Sequence, residues 1–193
     1  MQLTTVLLIN GEPQDNITIT PPVGLYKLKH YLEQRGVVCD VFMPDLDAEE
    51  EYLERTRNGE YSVVGISCSH WSMCKDLDRL WRFREAAGKC AQPVIFAAGG
   101  QEASQNYDQW LNNGVDVIFL GFAERNFYDF CSRLSAAALG TKFHQLLSEV
   151  DGVVFRDNAG GTIFKPTATL TAEFFEEITY SDYSGNLGLS ECN

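Results

Sequence analysis

Ser62–Ser69, SVVGISCS, and Pro93–Gly100, PVIFAAGG, decide how this chain folds. Each is a short, β-branched, nearly all-apolar run without polar alternation, as required of a strand buried on both faces. Each ends in small polar or glycine residues. Sheets of such strands are parallel and covered by helices, and they bind ligands outside the carboxyl ends of their strands. Small residues at two strand ends imply that something bulky approaches the backbone there.

Outward from these runs the same unit repeats. Thr5–Asn10 (TVLLIN) reads as a first strand closing on an Asn-Gly turn. Pro21-Pro22-Val23-Gly24 opens a helix over Leu25–Arg35, where Leu25, Leu28, Tyr31 and Leu32 share one stripe and Gly36 supplies the stop. Val37–Met43 is a second strand, and Leu46–Asn58 an acidic, exposed helix whose run Asp47–Glu51 suits a helix start. The third strand, Ser62–Ser67, precedes a helix over Lys75–Ala87 with Leu77, Leu80, Trp81 and Arg84 at helical spacing. Pro93–Ala98, Tyr107–Asn112, Val115–Leu120 and Arg125–Ala138 continue as strand, short helix, strand and helix. Five β-α units in a row predict an α/β domain with a doubly wound, five-stranded parallel sheet of the Rossmann or flavodoxin-like kind. Val150–Pro166 then alternates around Asp157-Asn158-Ala159-Gly160-Gly161, the pattern of a β-hairpin appended to the main domain. The expected division is a main domain over residues 1–140, followed by hairpin and linker over 141–193.

Composition narrows the function classes. A chain of 193 residues with 45% hydrophobic content can build a substantial core. Its formal net charge of −12 argues against nucleic acid as a partner, because that binding depends on cations neutralising phosphates. No apolar run approaches the roughly 18 residues of a membrane span, and Met1–Asn10 lacks the basic start of a signal peptide, so the expected setting is cytoplasmic. Cys39, Cys68, Cys74, Cys90, Cys131 and Cys192 form no CxxC pair and no zinc-type spacing, which predicts reduced thiols.

The strand-end loops hold the candidate site: Asn10, Gly11 and Pro22 about the first loop, Ser67, Cys68, Ser69, His70 and Trp71 after the third strand, Gly99, Gly100 and Gln101 after the fourth, and Gly121, Phe122 and Glu124 after the fifth. Gly99-Gly100 either admits a ligand against bare backbone or simply makes a tight turn. No GxGxxG follows the first strand and there is no P-loop lysine, so dinucleotides and nucleoside triphosphates are poor candidates. Ser67 and Cys68 stand where a phospho-receiver needs an acidic residue.

The succession VLLIN, PPVGLYKLKHYLEQRG, VVGIS, AAGG and FLGFAE, over about residues 4–135, resembles the cobalamin-binding domain that precedes many radical S-adenosylmethionine enzymes. The hairpin DGVVFRDNAGGTIFKP is similar to the segment that links it to the radical barrel. The resemblance implies strand order 2-1-3-4-5 and a slot for the cofactor's nucleotide tail at the third and fourth strand ends. Ser67 and Ser69 match the family's small polar residues, and Gly99 and Gly100 its glycine pair. Gly121 and Glu124 match its GEGE segment, from which Phe122-Ala123 departs.

The first loop, NGEPQDNITITPP, lacks the histidine of the DxHxxG motif with which methionine-synthase-type carriers ligate cobalt. The resemblance therefore implies cobalamin held with its own base displaced and no histidine from that loop on the metal. His70 would either reach the cobalt or hydrogen-bond within its loop, and Trp71 would either shield the lower corrin face or pack as a core aromatic. Such enzymes hold a [4Fe-4S] cluster through CxxxCxxC with S-adenosylmethionine on the open iron. Cys192 stands where the first of those cysteines would fall, or is coincidental. The expected partner is a radical S-adenosylmethionine catalytic domain in cis, the expected role is methyl carriage for a methyltransferase or related enzyme, and no turnover is expected from this chain alone. A freestanding corrinoid carrier and a flavodoxin-like interaction module without cofactor are the alternatives. Gly100→Leu is expected to abolish cofactor uptake by filling the tail slot while leaving the fold largely intact.

Overall fold

The computed structural model describes residues 4–11, 22–44, 46–68, 72–90, 92–136 and 143–168. They form, in chain order, β1 (Thr5–Asn10), α1 (Val23–Glu33), β2 (Val38–Phe42), α2 (Glu49–Arg57), β3 (Val63–Ser67), α3 (Met73–Ala87), β4 (Ile95–Gly99), α4 (Gln101–Gln105), α5 (Tyr107–Asn112), β5 (Val117–Phe119), α6 (Glu124–Ala136), α7 (Phe143–Glu149), β6 (Val153–Arg156) and β7 (Thr162–Lys165). Sequence periodicity misses α4 and α7, both short helices of five and seven residues.

The sheet runs β2-β1-β3-β4-β5-β6-β7. The first five strands are parallel; β6 joins β5 antiparallel, and β7 pairs with β6. This corrects the expected five-stranded sheet with a separate appendage, because the hairpin continues the same sheet at its β5 edge. The reason is burial. Val153, Val154 and Phe155 are at most 2% exposed, and an edge strand as apolar as β5 leaves both backbone groups and side chains to be covered.

Strand alternation sends side chains to two separate cores. Leu7, Ile9, Val64, Ile66, Phe96 and Ile118 face α2, α3 and α5, where Leu53, Leu80, Phe83 and Trp110 meet them. Val6, Leu8, Val63, Ala97, Val117 and Phe119 face α1, α6 and α7, against Leu25, Leu32, Phe127, Phe130 and Leu147. The expected stripe on α3 is rotated: Trp81 is 54% exposed and Phe83 is fully buried in its place. Asp76 and Arg79 are buried on the same helix, with Asp76 accepting from the Ser72 hydroxyl at 2.6 Å and Arg79 donating to Glu49 at 3.2 Å. Among the described residues no helix is long and apolar enough to cross a membrane.

Candidate functional site

Three strand ends lie in one row. In the parallel register Asn10 pairs with Ser67 and Ser67 with Gly99, so β1, β3 and β4 stop together at the same edge. Backbone hydrogen bonds fasten the exits: Gly11 N–H donates to the Ser67 carbonyl at 2.9 Å, and Cys68 N–H donates to the Gly99 carbonyl at 2.9 Å. A Cβ at Gly11 would stand 2.5 Å from the Ser67 carbonyl oxygen, so only glycine allows this approach.

One row back along the strands, Leu8 pairs with Gly65 and Gly65 with Ala97. On this face the small residues Gly65, Ala97 and Gly99 sink the sheet surface, and a cleft of about 260 Å³ opens above them. Its walls are the first turns of α1, with Val23, Leu25 and Leu28, and the entry to α6, with Phe122 and Ala123 just before the helix and Phe127 in its first turn. Phe119 closes the β5 side. A Cβ at Gly65 would lie 3.3 Å from Leu8 Cδ2 and 3.9 Å from Phe127 Cζ, so Gly65 marks where floor and α6 wall converge. A Cβ at Gly99 would meet only the Phe119 carbonyl oxygen, at 3.7 Å, so a longer side chain there would grow into open space.

Gly100 plays the other part. Its φ is +94°, and a Cβ would stand 2.7 Å from the Cys68 carbonyl oxygen. It is the tight turn that starts α4, although its backbone also lines the cleft. The expectation that a leucine at Gly100 would spare the fold is therefore corrected: the side chain would meet backbone, which cannot step aside.

The cleft is apolar except for Lys27, Ser67 and Glu124. Glu124 opens α6 and is 6% exposed, yet its Oε2 has no hydrogen-bond partner. Burial holds this carboxyl above the usual glutamate range; its own backbone N–H and the positive charge of Lys27 offset that only in part. A buried carboxyl oxygen, Oε2, left without a partner in a mainly apolar cleft points to a ligand that carries the missing partner.

Of the candidates from sequence, Ser67, Gly99, Gly100, Gly121, Phe122 and Glu124 line the cleft. Asn10, Gly11, Pro22, Cys68 and Gln101 are not among its lining residues. Pro22 instead caps α1, its carbonyl accepting from Leu25 and Tyr26. Cys68 belongs to the core on the opposite face, and burial raises its thiol well above the ordinary value. Ser69, His70, Trp71 and Cys192 lie outside the described residues. Sequence reasoning missed Gly65, Lys27 and Ala97. Gly65 was visible as the one interruption of the VVGIS run, while Lys27 carries no local signal because its role depends on α1 lying opposite α6.

The profile of the B12 binding domain matches residues 18–130. Among solved structures, the chain is similar to the cobalamin-dependent S-adenosylmethionine radical enzyme OxsB with aqua-cobalamin and S-adenosylmethionine bound, with a TM-score of 0.70 and 18% identity over 91% of this chain and 24% of that one. It is also similar to the radical S-adenosylmethionine methyltransferase TsrM from Kitasatospora setae with cobalamin and [4Fe-4S] cluster bound, with a TM-score of 0.67 and 18% identity over 89% of this chain and 30% of that one. The chain thus spans 24% to 30% of the length of these enzymes. No curated protein matches it.

Proposed function

The chain belongs to the B12-binding domain family, and from that premise we propose that it holds cobalamin base-off, with the nucleotide tail in the cleft between α1 and α6. The observation that carries this reading is the trough over Gly65, Ala97 and Gly99, where the neighbouring strands β3 and β4 withhold side chains on one face of the sheet. A flat heteroaromatic arm suits an apolar slit of this kind, and the buried Glu124 carboxyl and the Ser67 hydroxyl supply polar partners within it.

When bound, cobalamin supplies a cobalt–carbon bond from which a methyl group can be transferred. This chain's residues bind and orient it. Leu8, Leu28 and Phe127 exclude water from the tail, and the Gly99 backbone admits it closely. No histidine occurs between Gly11 and Pro22 to take the lower cobalt position, which favours the base-off state without a ligand from that loop. His70 and Trp71 are the residues of the β3 loop proposed to approach the lower corrin face.

The reading extends to a methyl-carrying part of a radical S-adenosylmethionine methyltransferase or related enzyme, with the catalytic domain, its [4Fe-4S] cluster and S-adenosylmethionine in the same protein. Similarity to OxsB and TsrM over a minority of their length supports this. Cys192 is proposed as a first cluster ligand. Titration of the purified chain with hydroxocobalamin, followed by absorbance, tests the core of the reading. Uptake with a Kd below about 100 μM and a base-off spectrum is expected; a chain that leaves the spectrum unchanged at that concentration would favour a flavodoxin-like module without cofactor.

A further inference from the structure

Glu124 is the one ionisable side chain of the cleft that is both buried and left with an unpartnered oxygen, Oε2. It begins α6 opposite Lys27 of α1, beside the apolar ring of Phe127. An oxygen so placed costs stability in the empty protein unless something else enters to meet it. Apart from Lys27 and Ser67 the cleft around it is lined by apolar side chains and glycine, and the ligand class that fits is a planar aromatic heterocycle with a ring nitrogen that accepts a hydrogen bond.

We infer that the Glu124 carboxyl donates a hydrogen bond to the free ring nitrogen of the dimethylbenzimidazole base, and so reads the base of the cofactor, not its corrin. This rests on the proposal that the cleft takes the nucleotide tail. Detaching the base from cobalt exposes one acceptor nitrogen, and a neutral carboxyl is the complementary donor. Burial of the carboxyl, which favours its protonated form, supports that assignment. Carboxylate in the same place would set lone pair against lone pair, so the donor form discriminates for this class of ring.

The test pairs two ligands with two variants of the 193-residue chain. Cobalamin and cobinamide, which has the corrin but lacks the base, are titrated against wild type, Glu124→Gln and Glu124→Leu. The amide of Gln still donates, so Glu124→Gln should bind cobalamin within about threefold of wild type, whereas Glu124→Leu should weaken it about tenfold or more. Cobinamide affinity should be the same in all three. Thermal unfolding without ligand should show Glu124→Leu melting no lower than wild type, because a residue kept for a ligand is not needed by the empty fold. Equal cobalamin affinity in wild type and Glu124→Leu would overturn the inference, as would parallel losses for cobalamin and cobinamide or a lowered melting point that accounts for the loss. Failure of the wild type to bind cobalamin would instead strike the underlying reading of the cleft.

Discussion

Two adjacent glycines divide the work at the β4 exit, and nothing in the pair Gly99-Gly100 distinguishes them by eye. Gly100 sits at φ +94° with the Cys68 backbone 2.7 Å from where a Cβ would stand, whereas Gly99 faces open cleft. Gly100→Leu should therefore destabilise the fold by more than about 2 kcal/mol in urea titration, through the left-handed backbone and the collision together. Gly99→Leu should leave unfolding within about 1 kcal/mol of wild type and abolish cobalamin uptake. The same scale fixes a pH effect. The Glu124 carboxyl is raised in the folded chain above its ordinary value of 4.5. The folded state then holds its proton longer than the unfolded state does, so this group favours folding below the ordinary value, and that contribution is lost as pH rises through the folded one. Glu124→Gln, which never ionises, should be more stable than wild type at neutral pH, and the gap should close as melting is followed down towards pH about 4. A gap that widens in acid would contradict a raised carboxyl.

At the scale of elements, β6 and β7 carry unequal weight although both read as one hairpin. Phe155 on β6 is 2% exposed and packs with the core under α6 and α7, while Phe164 on β7 is 56% exposed with its ring against Tyr107. Phe155→Ala should cost about 3–5 kcal/mol of unfolding free energy, and Phe164→Ser less than about 1 kcal/mol, measured by denaturant titration. Equal, small costs would mean that the hairpin is a detachable appendage after all. The turn at Asp157–Gly161 was legible because its chemistry is local: Asp157 Oδ1 accepts from the backbone of Ala159 and Gly161. The docking of β6 on β5 was not, since it depends on an edge assembled from residues far apart in the chain.

For the whole molecule, the cleft couples folding to ligand. Anything that binds only the native state adds RT ln(1 + [L]/Kd), about 2.7 kcal/mol at a hundredfold excess over Kd. Cobalamin at saturation should thus raise the melting temperature of wild type by several degrees and leave Gly99→Leu unmoved, a comparison that differential scanning calorimetry makes directly. Phe122 and Val23 stand half exposed on either side of the cleft mouth, so the molecule presents an apolar rim around the opening. Local composition determined most of the framework: β-branched runs ending in Ser67 and Gly99 can be satisfied only as buried parallel strands with open exits, and the apolar stripe of α1 must face such a sheet. What only the tertiary structure decided was which small residues share a face of the cleft. Gly65 lies in β3 and Ala97 and Gly99 in β4, and Lys27 and Glu124 lie in different helices, so their convergence depends on strand register and helix placement, which are set by the packing of the whole chain and not by any neighbour in sequence.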